Sequence, residues 1–406
     1  MKVLYFHQHF STPEGSAGIR SYEMARALVA AGNQVTMVCG SYGGGKTGLT
    51  APFHKGMRRG MVSGIEVVEF ELQYSNRHGL IQRAFTFFKF AARSTWLALT
   101  EHCDLVFATT TPLTAGIPGI VARWLRGSRF VFEVRDLWPE LPREMGVIKN
   151  PVVLTLMDWL EFASYRSAHR LIGLSPGIVA GITRRGVAPE KVALIPNGCD
   201  LALFSDKGSA WRPEGVSGTD LMAVFAGTHG MANGLDAALD AAARLKARGR
   251  TDIKIVLIGD GQLKESLIAR ATREGLDNVV FCNPVNKTRL AGLMASTDVG
   301  LQLLANVPAF YFGTSPNKFF DYIASGLPPL INYPGWLAEV VKEHQCGLAV
   351  APDNAEAFAD ALMYAADHRA ELKLMGERSL ALARAEFDRA ILAAQFVAWL
   401  QEAAQV

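Results

Sequence analysis

Residues 310–331 read FYFGTSPNKFFDYIASGLPPLI, which predicts a small polar turn, a helix and a buried strand in succession. Pro316 marks the end of the turn, because proline fits a first helical position. The helix is predicted from Asn317 to Ala324, and Gly326 ends it because glycine readily adopts the left-handed cap conformation. The apolar residues 327–331 then form the strand. A helix that leads directly into a short buried strand is typical of an α/β domain.

The start of this helix predicts an anion site. The first backbone N–H groups of a helix have no partner within it, and the helix dipole favours a negative ligand there. Lys318 lies in the first turn, where it opposes the dipole, and Asp321 lies one turn further on the same face. The pair suits a sugar nucleotide, with Lys318 on phosphate, Asp321 on the ribose hydroxyls, and Ser315 and Asn317 beside them. A surface ion pair three residues apart explains the same pattern equally well.

Length and composition predict an α/β protein of two domains. The chain has 406 residues, of which 50% are hydrophobic and 19% charged. Its five cysteines are scattered without a C-x-x-C pair, so we expect neither a zinc site nor a disulfide framework, and we expect a reducing cytoplasm. The first apolar run, residues 1–6, is too short for a signal peptide and is predicted to be a strand.

Positive charge is concentrated near the N-terminus, although the formal net charge is only +3. No acidic residue occurs between Glu23 and Glu66. The same interval holds five basic residues, namely Arg26, Lys46, Lys55, Arg58 and Arg59. Such a field attracts phosphate-rich partners, so we expect residues 46–59 to approach the anionic headgroups of the inner membrane or the phosphates of a bound substrate.

A helix predicted over residues 83–99 carries Phe85, Phe88 and Trp96 and is too short and too charged to cross a bilayer. It suits either a core position or a position on a membrane surface. Its aromatic residues follow helical spacing, which disfavours a base-stacking platform, and we therefore expect no nucleic-acid partner.

The N-terminal residues predict a βαβ unit with a ligand loop. Strand 2–6 is followed by a loop rich in small residues, a helix over 19–31 and a strand over 34–39. Ligands bind at the carboxyl ends of such strands. Gly15 and Gly18 would let the backbone approach a ligand, and Arg20 lies in the first helical turn. An ordinary connecting loop remains the alternative.

Residues 40–47, GSYGGGKT, match the phosphate-loop pattern of nucleotide triphosphatases letter for letter. That mechanism needs a helix to begin at the lysine, whereas here the chain continues GLTAP. We therefore exclude a triphosphatase and predict a long, mobile basic loop as far as about Ser63.

Charged residues also follow a central strand predicted over 129–134. Arg135 and Asp136 come directly after it, at the edge of the sheet where function concentrates. Both are expected to face the crevice, with an internal salt bridge as the alternative.

The second half of the chain repeats the α/β alternation. Strand 221–226 leads into the glycine-rich loop 227–234, which lacks the spacing of the dinucleotide fingerprint but suits a phosphate. Strand 253–258 leads into Gly259-Asp260-Gly261, a bare backbone edge against which a base can pack. The candidate ligand residues of this region are Gly227, Thr228, His229, Gly230, Gly261, Pro284 and Val285.

These segments together resemble the retaining glycosyltransferases of family 4, which have the glycosyltransferase-B fold. The resemblance covers essentially the whole chain. It rests on the loop at 15–18, on IPNGCD at 195–200, on the glycine loops 227–234 and 259–261, and on residues 315–326. The pairing of AGTHGMANGL at 226–235 with TSPNKFFDY at 314–322 is similar to the subgroup that builds bacterial O-antigen and capsule, including N-acetyl-L-fucosamine transferases.

The resemblance implies two Rossmann-like domains that face a cleft. It assigns residues 1–204 to an acceptor-binding domain, 205–219 to a linker, 220–385 to a nucleotide-sugar domain and 386–406 to a helix that packs back on the first domain. It implies transfer with retention from a UDP-sugar to a lipid-linked or lipopolysaccharide acceptor, without metal or cofactor. Lys318 would stabilise the departing diphosphate, and Asp136 would position the acceptor hydroxyl.

The chain departs from the family at three places. The family's first glutamate corresponds to Gly313, and its second is shortened to Asp321. Polar Thr228, His229 and Asn233 stand where the family carries basic residues, so Lys318 and Arg20 are expected to meet the phosphate charge. Two alternatives stay open: a sugar-nucleotide epimerase of the same fold, and a non-catalytic assembly protein at the membrane surface.

Overall fold

The structure is a computed structural model, and it describes residues 1–15, 18–43, 45–74, 78–205 and 210–405. The chain divides into two compact units. The first comprises residues 1–196, 313–315 and 390–406, and the second comprises residues 197–312 and 316–389. Residues 16–17 of the predicted ligand loop, 44 of the phosphate-loop match and 206–209 of the predicted linker lie outside the described residues.

The first unit is an α/β domain around an eight-stranded sheet in the order β3-β4-β2-β1-β5-β6-β7-β8. Every neighbouring pair is parallel except β3 and β4. The elements in chain order, apart from two short 3₁₀ turns, are β1 (Lys2–Phe6), α1 (Arg20–Ala30), β2 (Gln34–Tyr42), β3 (Met57–Val62), β4 (Ile65–Tyr74), α2 (Leu80–Thr100), β5 (Leu105–Thr109), α3 (Ile117–Arg126), β6 (Arg129–Val134), α4 (Glu140–Glu144), α5 (Pro151–Ser167), β7 (Arg170–Gly173), α6 (Pro176–Arg184) and β8 (Val192–Leu194).

The second unit is an α/β domain around a six-stranded parallel sheet in the order β11-β10-β9-β12-β13-β14. Its elements are α7 (Leu201–Ser205), β9 (Leu221–Ala226), α8 (Asp236–Ala247), β10 (Ile253–Ile258), α9 (Lys264–Arg273), β11 (Val279–Cys282), α10 (Lys287–Met294), β12 (Val299–Gln302), α11 (Pro308–Gly313), α12 (Asn317–Ala324), β13 (Pro329–Ile331), α13 (Trp336–Glu343), β14 (Leu348–Ala349), α14 (Ala355–Asp367) and α15 (Arg369–Ala385), and the chain ends with α16 (Arg389–Gln405).

The inner strands of both sheets are buried on two faces, as parallel strands with helical crossovers are expected to be. Strand β5, for example, is buried at every position, and its sequence LVFAT is apolar except for the last residue. Apolar runs of this kind, separated by amphipathic helices, explain why the sequence predicted an α/β protein. The prediction of two α/β domains with parallel sheets is confirmed.

The stretch at 310–331 folds mostly as expected. Helix α12 has the predicted bounds, and it is followed by strand β13. The segment before it is not a polar turn, because residues 308–313 form the short helix α11. This correction has a simple cause: Pro308 can begin a helix, and Phe310 is buried and so anchors it.

The structure also corrects the prediction of a long, mobile basic loop. Residues 57–62 form strand β3, which pairs antiparallel with β4. Arg58 forms a salt bridge with Glu69 at 2.8 Å, and Arg59 forms salt bridges with Glu66 and Glu101. Two of the five basic residues in the acid-free interval are therefore paired with carboxylates that lie beyond it in sequence, while Lys46 and Lys55 stay exposed.

The structure agrees with the exclusion of a phosphate loop. No helix begins at Lys46 or Thr47, and residues 45–56 contain no helix at all. Thr47, which would hold a metal ion in a phosphate loop, instead donates its hydroxyl to the buried Glu69 carboxylate.

Arg20 belongs to a buried ionic network. Its guanidinium donates two hydrogen bonds to the Glu133 carboxylate and one each to the carbonyl oxygens of Ile195 and Pro196. Arg20 is 1% exposed and Glu133 is fully buried. Burial alone would raise the pKa of Glu133, but the guanidiniums of Arg20 and Arg135 lower it to about 2. This placement corrects the expectation that Arg20 meets a ligand phosphate, because its donors are already used inside the first unit.

The C-terminal helix α16 packs on the sheet of the first unit. Its Phe396 meets Phe107 edge to face, with ring centroids 5.1 Å apart, and Trp399 donates its indole N–H to the Leu171 carbonyl. In the register of β5 and β6, Phe107 lies beside Val131, and Ala108 lies beside Phe132. Side chains alternate across a strand, so α16 covers the Phe107 face, and the Phe132 face is left to other helices.

We predict that Arg20→Ala lowers the free energy of unfolding by about 3–5 kcal/mol, because it leaves the Glu133 carboxylate buried without its main partner. Urea denaturation would measure the loss. Arg26→Ala on the same helix is the matched control, since Arg26 is half exposed and its nearest carboxylate is 3.7 Å away; it should change stability by less than about 1 kcal/mol. Equal, small effects of the two substitutions would contradict this structural role.

Candidate functional site

Two glycine-rich loops lie side by side at the carboxyl edge of the second sheet. Strands β9 and β10 are adjacent and parallel, so the segments that follow Ala226 and Ile258 emerge together. The backbone joins them: the His229 N–H donates to the Asp260 carbonyl, and the Leu263 N–H donates to the His229 carbonyl, each at 2.9 Å. This is the edge at which ligands bind in open α/β sheets.

Glycine is required where the two loops touch. A Cβ atom at Gly259 would lie 1.8 Å from the Gly227 carbonyl oxygen, and one at Gly261 would lie 2.5 Å from the His229 carbonyl oxygen. Gly261 was predicted to offer bare backbone to a base. The structure shows that the neighbouring loop leaves no room for a side chain there. Gly227 has a similar constraint, since a Cβ there would come within 3.0 Å of the Lys318 side chain.

Lys318 reaches from the first turn of α12 to these loops. Its ammonium donates to the Asn233 amide oxygen at 3.0 Å and lies 4.8 Å from the centre of the Phe225 ring. Burial lowers the pKa of Lys318 to about 8, although the charge of Asp321 opposes the shift. Among the described residues, no carboxylate forms a salt bridge with this ammonium.

The surroundings of Lys318 favour an anionic ligand. The first turn of α12 has no side-chain cap, so its backbone N–H groups add positive potential near the ammonium. A cation that is partly desolvated and has only neutral partners gains strongly from a phosphate. We call this arrangement of loops 227–234 and 259–261 with the start of α12 the anion site.

Asp321 is engaged differently from Lys318. Its carboxylate forms a salt bridge with Lys287 at the start of α10, and the residue is only 7% exposed. The Lys287 ammonium also lies over the Phe204 ring, 5.7 Å from its centre. The predicted ion pair between Lys318 and Asp321 is therefore absent from the described contacts, and Asp321 is neutralised by a lysine that the sequence did not single out. Its predicted contact with ribose stays a prediction.

His229 is buried between Phe225 and Phe281, with both ring centroids 6.3 Å away. The residue is fully buried, and its two ring nitrogens have no hydrogen-bond partner among the described residues. Burial, with a further contribution from the Lys264 charge, lowers the pKa of His229 to about 4. The imidazole is therefore neutral at pH 7, and its predicted contact with a ligand stays a prediction.

The other predicted ligand residues of the second half lie at or near the same sheet edge. Thr228 and Asn317 are exposed, Gly230 is half-buried, and the Thr228 carbonyl holds the Asn233 amide that in turn faces Lys318. Pro284 is exposed and Val285 half-buried in the loop after β11, the neighbour of β10. The remaining candidate, Ser315, lies in the tripeptide 313–315 that groups with the first unit.

Lys264 is a feature that the sequence analysis missed. Its ammonium donates to the carbonyls of Gly259 and Cys282 and to the Asn283 amide oxygen, at 2.8 to 3.1 Å. It thereby ties the ends of β10 and β11 together. The sequence could have indicated Lys264 by its position, because it lies in the first turn of a helix that follows a glycine-containing turn. Lys318 lies at a helix start in the same way.

The first unit has its own polar edge, at the carboxyl ends of the adjacent strands β1, β5 and β6. The Arg135 guanidinium is held there by Glu133, Thr109 and Ser21. Arg135 is thus part of the internal network, whereas Asp136 has no hydrogen-bond or ion-pair partner among the described residues. Burial raises the pKa of Asp136 to about 6, and the Arg135 charge opposes the shift only in part.

The same edge holds two buried side chains with unused hydrogen-bonding groups. His7 and Gln8 follow β1 and are 4% and 1% exposed. His7 Nδ1 and both amide atoms of Gln8 have no partner among the described residues. Unpaired buried polar groups are costly, so their presence at this edge of the sheet indicates a polar ligand position. Of the predicted loop residues nearby, Gly15 is buried and Gly18 exposed.

Two family models match the chain. Residues 15–198 match a "Glycosyl transferase 4-like domain", and residues 209–380 match "Glycosyl transferases group 1". An uncharacterized glycosyltransferase of Methanocaldococcus jannaschii is 26% identical over 210 residues, which is 49% of this chain and 51% of that relative. The chain thus matches about half the length of this curated relative.

Several solved structures share the fold along the whole chain. Anabaena HepE in complex with UDP has a TM-score of 0.69 at 19% identity, with 99% of this chain and 100% of that chain covered. Sucrose-phosphate synthase from Thermosynechococcus elongatus has a TM-score of 0.76 at 18% identity, with coverage of 99% and 98%. Trehalose 6-phosphate synthase from Burkholderia multivorans has a TM-score of 0.74 at 16% identity, with coverage of 100% and 99%. The predicted glycosyltransferase-B fold is confirmed.

We predict that Asp321→Asn and Lys287→Met each lower the free energy of unfolding by about 1–3 kcal/mol, because each leaves one member of a nearly buried pair without its partner. The double variant should recover much of the loss, since it removes both charges. Urea denaturation of the four proteins forms the cycle. Strictly additive losses would show that the pair is not coupled.

Proposed function

Because the chain combines a glycosyl transferase 4-like domain with a glycosyl transferases group 1 domain, we propose that it transfers a sugar from a UDP-sugar to a glycan acceptor. The observation that carries the proposal is the ammonium of Lys318, partly desolvated at a helix start and beside two glycine loops. The similar fold of Anabaena HepE has been solved with UDP and with UDP-glucose, which supports UDP as the nucleotide.

The proposed chemistry depends on the negative charge that develops on the diphosphate leaving group. When the bond between the sugar and the diphosphate breaks, negative charge grows on the departing diphosphate. Lys318 and the free N–H groups at the start of α12 would stabilise that charge, and preorganised donors of this kind are effective because they need not reorient. No metal ion is needed for this role in the proposal, and chelation with EDTA should leave the rate unchanged.

The acceptor side of the proposal rests on the first unit. Asp136 is unpaired and its pKa of about 6 lies near neutrality, which suits a group that holds or receives a hydroxyl proton. His7 and Gln8 offer further unpaired polar atoms to a sugar acceptor. We propose retention of the anomeric configuration, by resemblance to family 4.

The finer assignment extends the same resemblance. We propose an N-acetylated deoxyhexosamine as the transferred sugar and a lipid-linked or lipopolysaccharide glycan as the acceptor, in O-antigen or capsule synthesis. The protein would then act in the cytoplasm, at the inner face of the cytoplasmic membrane.

One incubation separates this proposal from its rivals. The protein is supplied with UDP-sugars alone and then with membrane extracts that contain lipid-linked glycans. A transferase releases UDP slowly without acceptor and rapidly with it, whereas an epimerase forms a new UDP-sugar without acceptor. The absence of both reactions across a panel of UDP-, GDP- and ADP-sugars would favour a non-catalytic protein.

We expect Lys318→Ala to lower kcat/KM for transfer by about 30- to 1,000-fold, equivalent to about 2–4 kcal/mol of transition-state stabilisation, with the fold intact. The reason is the loss of the cation nearest to the developing charge. Lys373→Ala is the control, because Lys373 is an exposed lysine on α15 of the same unit. Turnover of Lys318→Ala within threefold of the wild type would rule out the role.

The affinity for UDP should depend on pH through Lys318. The free protein holds this ammonium at a pKa of about 8, so deprotonation above pH 8 removes the cation that binds diphosphate. The phosphate itself is fully charged there, since its second pKa is about 6. Calorimetry should show Kd constant from pH 7 to 7.5 and rising toward tenfold per pH unit above 8. Lys318→Met should bind more weakly, with no such slope; a slope that persists in this variant would assign it to another group.

A further inference from the structure

Three helices of the first unit expose an unusual amount of apolar surface. On α2, residues 81, 85, 88 and 96 follow helical spacing and form one stripe, and residues 152, 156 and 159 do the same on α5. The side chains concerned are each more than half exposed: Ile81, Phe85, Phe88, Trp96, Trp124, Leu125, Val152, Leu156, Trp159 and Phe162. We call these ten residues the three-helix face.

The three helices are neighbours, so their exposed apolar residues lie on adjacent elements of one unit. The Trp124 indole N–H donates to the Ser167 hydroxyl at 2.9 Å and joins α3 to α5. The Arg126 guanidinium donates to the carbonyls of Ala98 and Glu101 and joins α3 to α2. Single exposed apolar residues are ordinary, whereas a contiguous cluster marks an interaction surface.

The charged residues of α2 and α3 are all basic. Helices α2 and α3 together carry five basic residues and no acidic residue: Arg83, Lys89, Arg93, Arg123 and Arg126. The two acids of α5 are neutralised, Asp158 by Arg143 and Arg185, and Glu161 by Arg185. The apolar face is therefore accompanied by uncompensated positive charge.

Aromatic residues beside cations match the chemistry of an anionic bilayer surface. Tryptophan is favoured at the boundary between lipid and water, and lysine and arginine at the headgroups. A second copy of the chain fits less well, because a two-fold contact would bring the cations of α2 and α3 against themselves. No helix among the described residues is long and apolar enough to cross a membrane.

We propose that the three-helix face binds the surface of an anionic lipid bilayer. This inference rests on the proposed function in one respect, since it gives a lipid-linked acceptor a place to meet the enzyme. It replaces the expectation that the basic residues at 46–59 make the contact, because Arg58 and Arg59 are paired within the first unit. Phe85, Phe88 and Trp96, which the sequence marked on one helix, are part of a larger surface.

Flotation of the full-length protein with vesicles tests the proposal. The wild type should float with phosphatidylcholine vesicles that contain 30% phosphatidylglycerol, and less with pure phosphatidylcholine. The variant Phe85→Gln/Phe88→Gln/Trp159→Gln should lose at least tenfold in bound fraction at limiting lipid. The control Ile268→Gln/Leu374→Gln/Ile391→Gln removes three exposed apolar residues elsewhere and should float like the wild type. Lys46→Glu/Lys55→Glu should also float like the wild type.

Three outcomes would overturn the proposal: no flotation of the wild type, equal flotation of the two triple variants, or loss of flotation in Lys46→Glu/Lys55→Glu alone. Sedimentation of the wild type as a dimer that only the three-helix variant dissociates would assign the face to a second copy instead. The release of UDP from soluble UDP-sugar is measured in parallel and should be unchanged in the three-helix variant. That readout reports the proposed function independently of lipid, so the two failures can be told apart.

Discussion

The candidate site of the second unit depends on one constraint: the ammonium of Lys318 is partly removed from water without a carboxylate partner. Removing an ammonium from water is unfavourable, and here the described partners are an amide oxygen and an aromatic ring rather than a carboxylate. The neighbouring residues fit around it: Gly227 leaves room for its side chain, and Asn233 is held in place through the Thr228 carbonyl. A partly desolvated cation beside a helix start is unfavourable alone. A bound phosphate would supply the opposite charge and accept hydrogen bonds from the helix N–H groups.

The two units divide the polar chemistry between them. In the second unit, the Lys318 ammonium has no carboxylate partner among the described residues. In the first, the Asp136 carboxylate is unpaired, and the unpaired atoms of His7 and Gln8 lie at the same edge of the sheet. A donor that carries a diphosphate and an acceptor that carries hydroxyl groups need these opposite features. The division agrees with the proposed roles of the two domains.

Local patterns in the sequence predicted most of the elements, and the position of the anion site stays a prediction. Helix α12, strand β1 and the glycine loops depend on residues within a few positions of one another. The errors arose from partners that are distant or in a neighbouring strand. Arg20 was taken for a ligand residue because Glu133 is 113 residues away, and Arg58 for a mobile cation because Glu69 faces it only in the folded hairpin. The three-helix face was seen on α2 alone, since the contributions of α3 and α5 depend on tertiary packing.

The central claim is that Lys318 recognises the diphosphate of UDP, and thermal denaturation with UDP and with uridine tests it most directly. A ligand that binds only the folded state stabilises it by about 2.7 kcal/mol at 100 times its Kd. The account predicts that UDP raises the midpoint of the wild type well above the value with uridine, and that this difference largely disappears in Lys318→Ala. An equal effect of UDP on both proteins, or no effect on either, would contradict it.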